Sequence, residues 1–136
     1  MQVKKILRGI LMKKKLRSIQ VVNETKEQTL GWRVEVANSF RARLMGLLGR
    51  AGLPEGGGLL LTPCSSIHSF LMEFAFDALF LDVDNKVLLA LSEIGPGRII
   101  KPVAGAVQVL ELPAGLVKAS GTDIGDKLIF SNYSCS

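Results

Sequence analysis

Cys64 and His68 stand four residues apart, and a thiolate beside an imidazole is a nucleophile with its base. Four residues bring two side chains together on one face of a helix. In a strand the same spacing is about 13 Å, at roughly 3.3 Å per residue, and no proton is shared. The stretch from Cys64 to Asp82 is dense in Phe, Leu and Met and reads as extended, although Pro63 and the paired Ser65 and Ser66 can curl the chain. If Ile67 to Phe74 is extended, His68 shares a face with Phe70, Met72 and Phe74, while Ser69 and Glu73 point the other way. Two readings follow. Cys64 and His68 are candidate catalytic residues of a hydrolase or transferase, or Cys64, His68, Phe70 and Met72 line a pocket for a small molecule or a partner segment. A lone His on an apolar face more often packs and hydrogen-bonds than catalyses, so binding is favoured.

Other chemistries find less support. A structural zinc site wants four ligands in closely spaced pairs. One His and the distant Cys64 and Cys135 supply that only if Asp77 or Asp126 joins them, so no metal and no cofactor is expected. Asp77 lies between Phe76 and Ala78 in an apolar run, where a carboxylate needs a partner. Arg43, with its bidentate fork, is the expected one, in a structural pair. Asp126 after Gly125 reads as a turn residue. The glycines from Gly49 to Gly58 lack the Gly-Lys-Ser/Thr ending of a phosphate loop, and no Gly-x-Ser-x-Gly elbow occurs.

Composition narrows the partners. The 136 residues suit one core, and no apolar run approaches the roughly 20 residues of a membrane span. The net charge of +5 is local, since seven of the 17 basic residues fall within positions 1–17, which hold no acid. The rest carries 10 basic against 12 acidic residues, a formal −2. With one Trp and one Tyr as well, nucleic acid is disfavoured as a partner. Residues 1–17 are expected to form a disordered basic arm, with weak contact to an anionic surface as the alternative if it turns helical. Arg8 and Lys13–Lys15 break the apolar piece that a secretion signal needs, so a cytoplasmic, reducing location with free thiols is expected. Met12 is an alternative start.

Around these residues the elements are short. Ser18–Asn23 and Leu30–Ala37 read as strands, the second alternating Val34 and Val36 with Arg33 and Glu35. Ser39 is an N-cap, and Phe40, Leu44, Leu47 and Leu48 recur at helical spacing until Gly49 and Gly52, which predicts one short helix over about 39–49. Leu59–Leu61, Phe80–Val83, Lys86–Leu91, Ala106–Leu112 and Lys127–Ser131 are further strands, with a tight turn at Asp84-Asn85. The expected fold is mainly β, a small antiparallel sandwich or barrel-like domain over 18–132, followed by a tail at 133–136.

Five runs of residues then carry a resemblance. These are Arg43-Leu-Met-Gly-Leu-Leu-Gly-Arg50, Cys64-Ser-Ser-Ile-His-Ser-Phe-Leu-Met72, Phe76-Asp-Ala-Leu-Phe-Leu-Asp82, Val109-Leu-Glu-Leu-Pro-Ala-Gly115 and Gly125-Asp126. In this order they resemble an uncharacterised prokaryotic family, domain of unknown function one hundred and ninety-two. The resemblance implies a small β-sandwich-like or barrel-like fold and no assigned activity. The chain departs from the family's pattern at Ser69, Glu73 and Ala75, where threonine, arginine and proline are usual.

Overall fold

The strand Phe76–Leu81 is buried along its whole length, so the sheet around it is covered on both faces. The computed structural model describes residues 16–132. The expected arm, up to residue 15, and the tail at 133–136 with Cys135 lie outside the described residues. In chain order the strands are β1 (Ser18–Asn23), β2 (Gln28–Ala37), β3 (Gly57–Leu61), β4 (Ile67–His68), β5 (Phe76–Leu81), β6 (Val87–Ile94), β7 (Ile99–Ile100), β8 (Gln108–Pro113) and β9 (Leu128–Asn132). Two helices, α1 (Phe40–Met45) and α2 (Leu116–Ser120), interrupt them. The main sheet runs β6-β5-β8-β3-β2-β1-β9, and β4 pairs with β7 in a separate ribbon.

The outer strands of the main sheet approach each other at one end. Lys86 bridges Lys127, the Val87 N–H donates to the Asp126 carbonyl, and the Leu128 N–H donates to the Asn85 carbonyl. The sheet is thus curled into an incomplete barrel. Its interior holds Val21, Val34, Leu60, Leu79, Leu110 and Leu128. The opposite face carries Leu59, Phe76, Phe80 and Val109, and chain from outside the sheet packs on it.

The fold departs from the expected one in several places. The sheet is antiparallel except for β2 and β3, which run parallel. Residues 38–56 between them carry α1 and supply the long crossover that a parallel pair requires. Ser39 caps α1 by accepting the Ala42 N–H at 3.1 Å, as its type predicts. The helix stops at Gly46 rather than Gly49, because Gly46 takes φ +47 and returns its N–H to the Ala42 carbonyl. The second helix, α2, has no counterpart in the sequence reading.

Candidate functional site

Glu35, Leu59 and Glu111 form one row across β2, β3 and β8, since Leu59 stands opposite both carboxylates. Cross-strand partners share a face, so the row looks out on the side of the sheet that the segments after β2 and β3 cover. Arg50, beyond α1, reaches this row and places Nη1 2.7 Å from the Glu35 carboxylate. Glu111 has no such bond. It is 4% exposed, and its Oε1 has no hydrogen-bond partner among the described residues. Burial pushes the Glu111 carboxyl up to about 8, and the charge of Arg50 only partly offsets this. At neutral pH Glu111 is therefore mostly a neutral acid.

Above Glu111 lies a cavity of about 710 Å³. One wall is α1 and the loop behind it, from Arg43 to Leu48. The other is the segment after β3, which contributes Cys64, Ser66, Ile67 and His68, then Phe70, Leu71 and Met72. Leu61 and Glu111 come from the sheet. The cavity thus brings together Cys64, His68, Phe70 and Met72, though not as one extended strand presents them. The strand expected from Ile67 to Phe74 ends at His68, because Ser69 is tied elsewhere. Its hydroxyl donates to the Gly95 carbonyl at 2.6 Å and accepts the Arg98 N–H at 2.8 Å. A turn follows in which the Met72 N–H donates to the Ser69 carbonyl. Leu71 sits in this turn at φ +62, a left-handed conformation that strains a branched side chain by roughly 1–2 kcal/mol. The turn leaves Phe70 47% and Leu71 63% exposed at the cavity mouth, across from Leu44 at 58%.

The thiol of Cys64 is half-buried and donates to the Ser66 carbonyl at 3.0 Å. Burial pushes it above its ordinary value of 9.0; the nearby Glu111 adds to this, while a backbone contribution of Ser66, distinct from the bond the thiol donates, and the charge of Arg43 pull it partly back. His68 is exposed and lays its ring against Phe70, with centroids 5.6 Å apart. This is the geometry of two lining residues, with the thiol's hydrogen bond directed at a backbone carbonyl.

The expected pairing of Arg43 with Asp77 is corrected. Asp77 lies inside the barrel end and accepts three backbone N–H groups, from Glu93 at 2.7 Å, Gly115 at 3.1 Å and Val117 at 2.8 Å. Arg43 is instead in the cavity wall, close enough to influence Cys64. Asp126 also has more than a turn role, since it is buried against Asn23 and bonded to Lys26. Neither aspartate lines the cavity. In the sequence Glu111 is only one position of the expected strand Ala106–Leu112. Its signal was the same as that of Asp77, a single acid inside an apolar strand.

Comparison with known proteins agrees with this architecture. Residues 21–130 match the family described as DUF192, Uncharacterized ACR. A UPF0127 protein of Pyrococcus abyssi is 31% identical over 113 residues, which are 79% of this chain and 94% of the relative. A UPF0127 protein of Pyrococcus horikoshii is 32% identical, again over 79% of this chain and 96% of its own length. Among solved structures, a protein of unknown function from Novosphingobium aromaticivorans superposes with a TM-score of 0.70 at 23% identity, covering 82% of this chain and 83% of that one. A Sinorhizobium meliloti protein that carries a provisional description as a transcription regulator has the same TM-score at 25% identity, covering 85% and 94%. No helix among the described residues is long and apolar enough to cross a membrane. With the matching profile spanning most of its length, the chain belongs to the DUF192 family of uncharacterised proteins.

Proposed function

We propose that this protein is a small-molecule binding module whose site is the cavity above Glu111. One observation carries the reading. Three separated parts of the chain, Arg43–Leu48, residues between Cys64 and Met72, and Glu111 of β8, meet at one apolar cavity whose sheet side thus holds a buried acid with an unbonded oxygen. A buried polar atom without a partner is rare in a native fold, and a ligand group is one way to supply the partner. The walls are chiefly Leu, Ile, Met and Phe, as ligand sites usually are, with few polar groups to fix orientation. A reducing cytoplasm suits the site, since Cys64 stays a thiol there.

The cysteine-enzyme alternative draws less support, because a thiol held protonated and bonded to a carbonyl is a poor nucleophile.

The reading is tested by titrating isotope-labelled protein with 1-octanol and following side-chain resonances by NMR. Saturable shifts confined to Leu48, Phe70 and Met72, abolished by Leu48→Trp at the wall, are the expected result. Shifts spread over the surface, or none, overturn it.

A further inference from the structure

The charges around the cavity point to the kind of head group its occupant carries. Besides His68 and the Cys64 thiol, its ionisable lining residues are Arg43 and Glu111, while Arg50 and Glu35 lie outside the lining. Arg50 and Glu35 form an ion pair at 2.7 Å and cancel each other. Glu111 is buried to 4% exposure and is neutral when protonated. Arg43 remains. It lines the cavity wall, and the ion pairs among the described residues are those of Lys26 with Asp126 and Arg50 with Glu35. Among the described residues the wall therefore offers one cation outside these ion pairs, and the sheet side offers one carboxyl with an unfilled hydrogen-bonding oxygen.

We propose that the cavity takes an apolar molecule bearing a single carboxylate, which pairs with the Arg43 guanidinium and shares a hydrogen bond with the Glu111 carboxyl. This rests on the cavity being a ligand site at all. A guanidinium fork matches a carboxylate in shape as well as charge. A protonated Glu111 donates to the anion instead of repelling it. A cationic head group fits worse, since it meets the like charge of Arg43 in the wall and a Glu111 carboxyl that is neutral when protonated. The remaining walls, from Leu47, Leu61, Ile67 and Met72, accept the hydrocarbon body.

The test compares octanoate, 1-octanol and octylammonium, all below their aggregation concentrations, by calorimetry and NMR on the full chain at pH 7. Octanoate is expected to bind at least about tenfold tighter than 1-octanol, with octylammonium the weakest. Arg43→Met removes the preference for octanoate and leaves 1-octanol binding within about twofold, while Arg43→Lys restores part of it. Equal affinity for octanoate and 1-octanol, a preference for octylammonium, or an undiminished octanoate preference in Arg43→Met each overturns the head-group assignment while leaving the cavity a ligand site. Failure of all three compounds to bind overturns the ligand site itself and the assignment with it. Unchanged amide spectra of the variants separate these outcomes from misfolding.

Discussion

The Asp77 carboxylate accepts the backbone N–H of Val117 at 2.8 Å, forty positions further along the chain. The same side chain takes the Gly115 and Glu93 amides, so one residue holds the start of α2 and the bend of β6 to the middle of the sheet. Asn at this position keeps one acceptor and presents an amide N–H to a backbone N–H. Asp77→Asn is expected to lower unfolding stability by about 2–4 kcal/mol in urea titration. Arg43→Met, by contrast, is expected to change it by less than about 1 kcal/mol. Comparable losses, coupled in the double variant, would restore the ion pair that the sequence suggests.

Glu111 makes stability fall with rising pH. Its carboxyl is raised from 4.5 in the unfolded chain to about 8 in the fold. Between these values the folded chain keeps a proton that the unfolded chain has lost. The contribution is complete below 4.5, is lost as pH climbs through about 8, and then levels off. Glu111→Gln has the same shape and does not titrate. Its stability advantage over wild type is expected to grow by on the order of a few kcal/mol between pH 5 and 9, measured by urea midpoints. Parallel curves for the two proteins would mean a carboxylate already ionised in the fold.

Why the sequence shows β5 and β6 but not the site is a matter of range. Asn85, at φ +61, with Asp82 accepting the Asp84 and Lys86 amides, is a turn written in adjacent residues. Ser39 caps its own helix. These signals are local and were legible. The parallel register of β2 on β3 is fixed by contacts across a long crossover, and so is the Glu35–Leu59–Glu111 row that it creates. Ile67–Phe74 reads as a strand until Ser69 meets Gly95 and Arg98, which no local pattern announces. Similarly, α2 is too short to show a period, and its N-terminus is held by Asp77 rather than by a neighbour. Cys64, His68, Phe70 and Met72 stand out in the sequence by type and proximity. Their common wall comes from a turn, not from alternation.

Asn23 joins the two ends of the described chain. Its Nδ2 donates to Thr122 at 3.0 Å and to Asp126 at 2.9 Å, while its Oδ1 accepts the Lys26 N–H. It is wholly buried, and so its removal strands Asp126 and Thr122 without that donor. Burial by itself raises the Asp126 carboxyl, but bonds from Lys26, Asn23 and the Asp123 N–H outweigh it and hold the group below its ordinary 3.8. That part of the stability is present above pH 3.8 and disappears as pH falls through the lowered value. Asn23→Ala is expected to cost about 2–3 kcal/mol and to raise the pH midpoint of acid unfolding. Lys26→Met, at a more exposed position, should cost less than about 1 kcal/mol. Equal effects of the two substitutions would place the weight on the ion pair instead of the buried amide.

Cys64 separates a lining thiol from a nucleophile. A nucleophilic cysteine has its thiolate stabilised, and its alkylation rate levels off near or below neutral pH. Here burial favours the neutral form, and the proton is directed at the Ser66 carbonyl. In a Cys135→Ser background, iodoacetamide is expected to react with Cys64 more slowly at pH 7 than with a free cysteine peptide, and the rate should still be rising at pH 9. His68→Ala is expected to leave that profile in place, since the imidazole packs on Phe70 and receives no thiol hydrogen bond. A rate plateau below pH 7 that vanishes in His68→Ala would instead identify a thiolate–imidazolium pair, and the cavity would have to be read as an active site.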